Sequence, residues 1–291
     1  MAEKETVDVE PLFRHAGILV TRWRCRVREA GSTSMLEHRW HIVKFVHTGA
    51  FRARLEEGTV HVDSTRTLLA APRKPYLVTR QFGADVSGSA ILVAPETLSE
   101  IAGDGDSSVT RLLCEQLASR AILIQHLILR KIEERAPPLA IAELGLALAA
   151  EIFRDACPVH ERTAGRRRDA VAMAQAILAA NYEKPVRLED IARAVELSPY
   201  HLCRTFKRAT GVHMHEYLTR LRLRAALERV AGPRPGLAEI AHDYGFSSQS
   251  HFAAAFRKEF RITPSEVRRL ATRSVAELRR TLGLHNFITS L

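Results

Sequence analysis

Apolar residues near the end of the chain recur at helical spacing in a block that predicts two helices. Gly245 separates the helices, and Ser247 and Ser248 can cap the start of the second one. The apolar positions of this block are Leu237, Ile240, Ala241, Phe252, Phe256 and Phe260. Because these positions hold the second helix against the first, its opposite face is free for another partner. The block predicts a helix-turn-helix whose second helix can lie in a DNA groove.

A similar block lies 49 to 50 residues upstream. Its apolar positions are Leu188, Ile191, Ala192, Leu202 and Phe206. Ser198 and Pro199 can start its second helix, and Gly211 can end that helix. Between the two blocks, an apolar and arginine-rich segment from Tyr217 to Arg229 predicts a connecting helix. Two units joined by one helix can enter successive major grooves on one face of the duplex.

The first third of the chain has the pattern of short β-strands, because segments rich in Val, Ile, Leu, Phe and Thr alternate with Gly, Asp and Pro. The predicted strands are Ile18 to Trp23, His41 to His47, Phe51 to Leu55, Thr59 to Val62, Leu77 to Phe82 and Ser89 to Val93. Several short strands at this spacing predict a small sandwich or barrel. Residues 1–10 are polar and are expected to fray.

Two longer helices, Val109 to Ile132 and Leu139 to Phe153, follow a predicted loop at Gly103 to Ser108. They predict a helical hairpin that either joins two copies of the chain or covers the β-domain. Two further predicted helices are Ala170 to Tyr182 and Val275 to Leu282. The fold class is therefore α+β, with residues 1–157 as one domain, 158–165 as a linker, 166–270 as a helical domain, and 271–291 as an extension without a functional assignment.

The segments LEDIARAVELSPYHLCRTFKRATG, YLTRLRLRAALE and LAEIAHDYGFSSQSHFAAAFRKEFRITPSEVR occur in that order. Together they resemble the DNA-binding domain of AraC/XylS-type bacterial transcription regulators, over roughly residues 166–269. The resemblance implies a transcriptional regulator that binds double-stranded promoter DNA and works with RNA polymerase. It further implies a cupin-like N-terminal domain that binds a small-molecule effector, and a homodimer formed through the helical hairpin.

The outward faces of the two second helices supply the candidate DNA contacts. Arg204 is the strongest candidate for reading a base, because a guanidinium makes bidentate bonds to guanine. The predicted base contacts are Tyr200, Cys203, Arg204, Gln249, Ser250, His251 and Ala254, and the predicted phosphate contacts are Arg166, Arg167, Arg168, Lys207, Arg208, Arg257 and Lys258. Family members often carry a larger polar residue where this chain has Ala254. The second unit is therefore expected to read sequence less stringently.

Charge is distributed unevenly along the 291 residues. The chain from Arg162 onward has 23 Lys and Arg against 12 Asp and Glu, whereas the part before it has 20 against 21. A basic half joined to a neutral half matches a phosphate-binding module attached to a neutral domain. The composition, with 46% hydrophobic and 26% charged residues, is that of an ordinary soluble protein. The sequence shows no signal-peptide pattern and no apolar run long enough to span a bilayer. The chain is therefore expected in the cytoplasm and not in a membrane.

The N-terminal half holds the candidate ligand chemistry. The residues proposed to line an effector pocket are Trp23, His38, Trp40 and Tyr76, although most aromatic residues of a small barrel simply fill its core. His38 and His41 form an HxxH pair whose rings point to opposite faces of a strand, so no metal or other cofactor is expected. One alternative is a cupin-type metal-dependent enzyme with an attached DNA-binding domain, and another is an N-terminal half that only dimerises and binds no ligand. The four cysteines, Cys25, Cys114, Cys157 and Cys203, are expected to be reduced thiols.

Overall fold

The computed structural model describes residues 7–26, 33–55, 58–79, 85–102, 111–112, 115–155 and 166–284, and it has the predicted α+β organisation of an N-terminal β-domain followed by helices. The strands are β1 Val7–His15, β2 Ile18–Cys25, β3 Thr33–Leu36, β4 His41–Thr48, β5 Ala50–Leu55, β6 Gly58–Asp63, β7 Leu68–Ala70, β8 Tyr76–Thr79, β9 Val86–Val93 and β10 Arg111–Leu112. The strand predicted from Leu77 to Phe82 corresponds to β8, which begins one residue earlier, at Tyr76. Residues 80–82 of the predicted range lie outside the described residues.

The strands form two sheets that face each other as a sandwich. One sheet has six strands in the order β1-β2-β9-β4-β7-β10, and the other has four in the order β3-β8-β5-β6. Alternation along each strand sends successive side chains to opposite faces. In β4, Val43 and Phe45 pack toward the N-terminal helices, whereas Ile42 and Val46 pack in the layer between the two sheets.

The helices are α1 Pro95–Ala102, α2 Glu115–Glu133, α3 Pro138–Asp155, α4 Arg166–Asn181, α5 Leu188–Ala194, α6 Pro199–Thr210, α7 Met214–Ala225, α8 Leu227–Ala231, α9 Leu237–Asp243, α10 Gln249–Phe260, α11 Pro264–Thr272 and α12 Val275–Thr281. The predicted connecting helix is interrupted at Ala226, which separates α7 from α8. No helix in the described part of the chain is long and apolar enough to cross a bilayer.

Two predictions for the N-terminal half were wrong. The segment from Val7 to Glu10 does not fray, because it belongs to β1, which pairs with β2 along its whole length apart from a shift near Pro11. The helix predicted from Val109 begins only at Glu115, and Arg111–Leu112 instead pairs with Leu68 and Leu69 of β7. In both segments, pairing with a neighbouring strand outweighs the local polar or helical pattern. The predicted loop at Gly103 to Ser108 lies outside the described residues, as does the predicted linker 158–165.

The helical hairpin of α2 and α3 is enclosed within the chain. Residues 121–129 of α2 are all buried, and this helix contacts α3, α8, α10 and α11. Helix α3 contacts the sheet and also α12, where Arg279 forms an ion pair with Glu143. The described part of the C-terminal extension is thus a helix that packs on α3. Both apolar faces of the hairpin are used inside one chain, which favours the alternative that the hairpin covers the β-domain.

Candidate functional site

The first helix-turn-helix unit consists of α5 and α6. Ser198 caps α6 by accepting a hydrogen bond from the His201 backbone N–H at 3.3 Å, and Gly211 ends it in the left-handed conformation with φ of 79°. Leu202 and Phe206 are fully buried and fix α6 against α4 and α5. The opposite face carries the predicted base contacts, of which Tyr200 and Arg204 are exposed and Cys203 is half-buried.

The second unit consists of α9 and α10. The Ser248 hydroxyl accepts a hydrogen bond from the His251 backbone N–H at 3.1 Å, and Phe252 and Phe256 are fully buried. Predicted base contacts Gln249, Ser250, His251 and Ala254 are all exposed. The His251 ring is already positioned, because its Nδ1 lies 3.0 Å from the Ser247 hydroxyl and its ring packs edge-on against Phe246 at 5.4 Å.

Arg222 on α7 links the segment after α4 to the turn of the second unit. Its guanidinium donates to the backbone oxygen of Tyr182 at 2.8 Å, of Lys184 at 3.4 Å, and of Gly245 at 3.3 Å. Gly245 forms the turn of the second unit with φ of 72°, and a Cβ at this position would come within 3.0 Å of the Arg222 guanidinium. One side chain thus connects the end of α4, the linking helix and the second turn.

The predicted phosphate contacts divide into two groups. Exposed side chains further along α6 and α10 are those of Lys207, Arg208, Arg257 and Lys258. The run Arg166 to Arg168 begins α4, but the positions of these three side chains lie outside the described residues.

A groove of about 920 Å³ runs along one flank of α10. His251, Ala254 and Lys258 form one wall, and α7 contributes Thr219 to the lining. The opposite wall includes Arg120 of α2. Helix α10 of the second unit therefore stands directly beside α2 of the N-terminal half.

Helix α7 is also fastened to the β-domain, through a buried carboxylate that the sequence patterns did not reveal. Asp63 at the end of β6 is fully buried and accepts hydrogen bonds from the Tyr217 hydroxyl, from the Thr65 hydroxyl at 2.6 Å and from the Thr65 backbone N–H at 2.7 Å. Gln175 of α4 donates to the Tyr217 oxygen at 3.1 Å. Burial alone would raise the pKa of Asp63, but the hydrogen bonds and the nearby His61 ring hold it well below its usual range.

A second polar contact joins α7, α10 and α2 to the same turn. Arg224 is buried and donates to the Ser64 backbone oxygen at 2.7 Å, to the Ser119 hydroxyl at 2.7 Å and to the Glu259 carboxylate at 2.8 Å. Burial would raise the pKa of Glu259, but the charge of Arg224 and the hydrogen bonds from Ser119 and Arg224 lower it overall. Paired and hydrogen-bonded charges of this kind are the form in which ions persist inside proteins.

Three of the four predicted effector residues meet in the layer between the sheets. His38 Nε2 lies 3.0 Å from the Tyr76 hydroxyl. The Lys44 ammonium lies over both the Trp23 ring and the Tyr76 ring and so connects Trp23 to this pair. Lys44 was missed because a lysine on a strand ordinarily points to solvent. Trp40 does not join them; Arg14 stands over its ring at 5.9 Å.

The two histidine rings of the HxxH segment pack in different places, and only His41 lies on a strand. The His38 ring packs on Tyr76 at a centroid distance of 5.9 Å, whereas the His41 ring packs on Phe153 of α3 at 5.4 Å, on the other face of the sheet. Within the described ranges, no group of three or more His, Cys, Asp or Glu side chains is arranged to hold a metal ion. Cys25 and Cys203 are free thiols, and Cys114 and Cys157 lie outside the described residues.

The geometry defines a tandem helix-turn-helix domain of the DNA-binding kind, and comparison with known proteins agrees with it. A sequence model described as a helix-turn-helix domain matches residues 191–270. Regulatory protein PocR of Salmonella typhimurium is 35% identical over 89 residues, which are 31% of this chain and 29% of PocR. The transcriptional activator RhaS of Pectobacterium carotovorum is 34% identical over 110 residues, or 38% of this chain and 39% of RhaS.

A solved structure of a transcriptional regulator with an AraC-type DNA-binding domain, from Chromobacterium violaceum, is 32% identical to this chain. The match covers 36% of this chain and 95% of that one, with a TM-score of 0.34. The C-terminal helical domain of the chain is therefore similar to AraC-type DNA-binding domains of transcriptional regulators. The matched region spans less than half the length of PocR and of RhaS.

Proposed function

We propose that the protein is a sequence-specific transcriptional regulator whose helices α6 and α10 enter successive major grooves of promoter DNA. The observation that carries the proposal is that α6 and α10, which are held by α7, each have an N-terminal cap, one buried apolar face and one exposed polar face. In this arrangement Arg204 is the principal base-reading side chain, because it is exposed in the first half of α6 and its guanidinium can make bidentate bonds to guanine. Lys207, Arg208, Arg257 and Lys258 supply affinity through phosphates without sequence choice.

The N-terminal domain controls the DNA-binding half in this proposal. Its support is the contact between the β6–β7 turn and α7, together with the position of α2 beside α10. A ligand that shifts the β-domain would move the helix that sets the spacing of the two units. The interior group of Trp23, His38 and Tyr76 is the proposed effector site. The proposed domain boundaries are residues 1–157 for the N-terminal domain, 166–270 for the DNA-binding half and 271–291 for the C-terminal extension.

The remaining partners follow from the same proposal. RNA polymerase is the expected protein partner of a promoter-bound regulator. A homodimer would read two copies of the bipartite site. Because the α2–α3 hairpin is enclosed within the chain, we expect the dimer surface to lie elsewhere than on the apolar faces of this hairpin.

An enzymatic N-terminal domain is the competing proposal. The divergence of His38 and His41 to opposite faces of the sheet favours the regulator, because a single ion needs convergent ligands. Elemental analysis of the purified protein separates the two. A stoichiometric bound transition metal would favour the enzyme.

Selection of binding sites from sheared source-genome DNA tests the proposed function. We expect the full-length protein, at physiological salt, to recover one bipartite motif whose halves lie about one helical turn apart. Arg204→Ala should alter the recovered motif at one or two base pairs, whereas the matched Lys207→Ala should recover the same motif less efficiently. Retention of DNA without any shared motif, lost on adding salt, would contradict a sequence-specific regulator.

A further inference from the structure

The two helix-turn-helix units pack in different apolar cores, and α7 contributes to both. The core of the first unit, with α4, α5 and α6, includes Tyr217 and Leu221 of α7. The core that holds α9 and α10 includes Leu223 of α7. Arg222 therefore lies on α7 between a position that turns to the first unit and one that turns to the second. The relative position of the units depends on contacts at this junction as well as on the cores.

Arg222 supplies three hydrogen bonds at the junction. Its Nε donates to the Tyr182 backbone oxygen at 2.8 Å and its Nη2 to the Lys184 backbone oxygen at 3.4 Å, both just after α4. Its Nη1 donates to the Gly245 backbone oxygen at 3.3 Å, just after α9. The C-terminal ends of two helices thus converge on one guanidinium, where a cation is favoured. Each acceptor is reached by a different nitrogen, which a single ammonium group cannot reproduce.

Two tyrosine rings form a second contact between the same segments. The rings of Tyr182 and Tyr244 are stacked, with centroids 6.4 Å apart and an interplanar angle of 6°. Tyr244 ends α9, and its hydroxyl donates to the Ala225 backbone oxygen of α7 at 3.1 Å. Half-buried Tyr182 packs against both apolar cores. The segment after α4 and the turn of the second unit are therefore joined by stacked rings as well as by the guanidinium.

The contacts of α7 with the N-terminal half have a different effect. Tyr217 and Arg224 fasten α7 to the β6–β7 turn through Asp63 and the Ser64 backbone oxygen. These contacts hold the linking helix itself. Arg222 instead holds one unit against the other.

We propose that Arg222, supported by the Tyr182–Tyr244 stack, fixes the spacing between α6 and α10 and so selects DNA whose two half-sites lie at one set distance. Arg222 is a positioning residue, because its guanidinium donates to protein carbonyls and acts on DNA only through the placement of the two helices. One extra base pair moves the second half-site by about 3.4 Å along the duplex and turns it by about 35°. A rigid pair of helices loses contacts on such a site, whereas a loosened pair can follow it.

This inference rests on the proposed function, because it concerns how the two units share one DNA site. It goes further by assigning the choice of spacing to the junction and not to the base-contacting faces. Each unit has its own caps and apolar core without Arg222. Binding of one half-site alone should therefore not depend on this arginine.

The test compares the unchanged full-length protein with Arg222→Gln on four synthetic duplexes. Three carry the motif recovered by site selection at its own spacing, one base pair shorter and one base pair longer, and the fourth carries only the first half-site. Anisotropy titrations at physiological salt give the dissociation constants. The unchanged protein should prefer its own spacing about tenfold or more, an effect like that of a mismatched base pair. In Arg222→Gln this preference should fall to about threefold or less, because the units are no longer preorganised, and half-site binding should change less than about twofold.

Two further variants assign the effect to the guanidinium. Arg222→Lys keeps the positive charge but offers one nitrogen in place of three, so it should lose the spacing preference as Arg222→Gln does. The matched control is Arg269→Gln, which removes a charge from a side chain of the same domain that is 68% exposed. It should keep the full spacing preference even if it lowers affinity for all four duplexes. Circular dichroism checks that each variant is folded, and Arg222→Lys keeps the test valid if Arg222→Gln is not.

A full spacing preference in a folded Arg222→Gln or Arg222→Lys variant overturns the inference and leaves the regulator. An equal loss of affinity on the half-site and on the complete site overturns it as well, because the damage would then lie within a unit. A bipartite motif that the unchanged protein binds equally at all three spacings removes the inference alone. Recovery of no shared motif by the unchanged protein removes the proposed function, and the inference with it.

Discussion

The hydroxyl of Tyr217 connects the DNA-binding half to the β-domain, and Tyr217→Phe removes it without removing the ring. The ring keeps its edge-on contact with Phe206 at 5.4 Å, so the change removes only the hydrogen bonds of the hydroxyl, which join it to Asp63, Gln175 and Thr65. Asp63 is fully buried and ionised, and Gln175 also loses the acceptor that it now contacts at 3.1 Å. Hydrogen bonds to charged groups contribute about 1.5 to 3 kcal/mol, and we expect a loss of that size in the free energy of unfolding.

That loss converts to a measurable change in melting temperature. With an unfolding entropy of about 2.1 cal/mol/K per residue, a chain of 291 residues that unfolds as one unit should melt about 2 to 5 °C lower. Tyr200→Phe is the matched control, because Tyr200 is 74% exposed on the outer face of α6. It should change the unfolding free energy by less than about 0.5 kcal/mol.

Calorimetry or far-ultraviolet circular dichroism at pH 7 measures both variants. Equal melting temperatures for Tyr217→Phe and the unchanged protein would refute the idea that this hydroxyl fastens α7 to the β-domain. Equal losses in the two tyrosine variants would refute it as well. A lower melting temperature with unchanged DNA affinity would keep the contact but remove its role in control.

Three further predictions address other parts of the molecule. Arg204→Ala should reduce the binding free energy for the selected DNA site by about 1 to 3 kcal/mol and change binding to random DNA little. Lys207→Ala should weaken binding to the selected site and to random DNA similarly and flatten the salt dependence of binding, as titrations at several salt concentrations will show. Gly88→Ala should lower stability by about 1 to 3 kcal/mol in denaturant unfolding, because its Cβ would collide with the Trp23 ring. The pKa of Asp63 is lowered in the folded protein, so the contribution of its carboxylate to stability is complete above about pH 4 and is lost as the pH falls further. The difference in unfolding free energy between Tyr217→Phe and the unchanged protein should therefore begin to narrow only below that pH.

The helix-turn-helix units were predictable because their signals are local. Ser198, Gly211 and Ser248 act at the helix ends where the sequence placed them, and the apolar spacing identified the buried faces. Caps and helical periodicity depend on residues within a few positions of one another, so they survive in any tertiary context. The same reasoning placed the exposed side of α6 correctly.

The N-terminal half was predicted less completely because its structure depends on distant residues. Strand β1 alternates apolar and polar residues only from Val7 to Glu10, next to Pro11, and it is fixed by pairing with β2. Arg111–Leu112 was assigned to a helix from its periodicity and is held as a strand by β7. Strand pairing of this kind is decided by the partner and not by the segment itself.

The sequence by itself determined that the chain carries two helix-turn-helix units on a basic half, because caps, spacing and charge are written in neighbouring residues. Only the tertiary structure decided that Asp63 would meet Tyr217, that Arg224 would join α2, α7 and α10 to the β-domain, and that Lys44 would lie between two sheets beside Trp23. These contacts join residues far apart in the chain. Their energies depend on burial and on partners that no local pattern specifies.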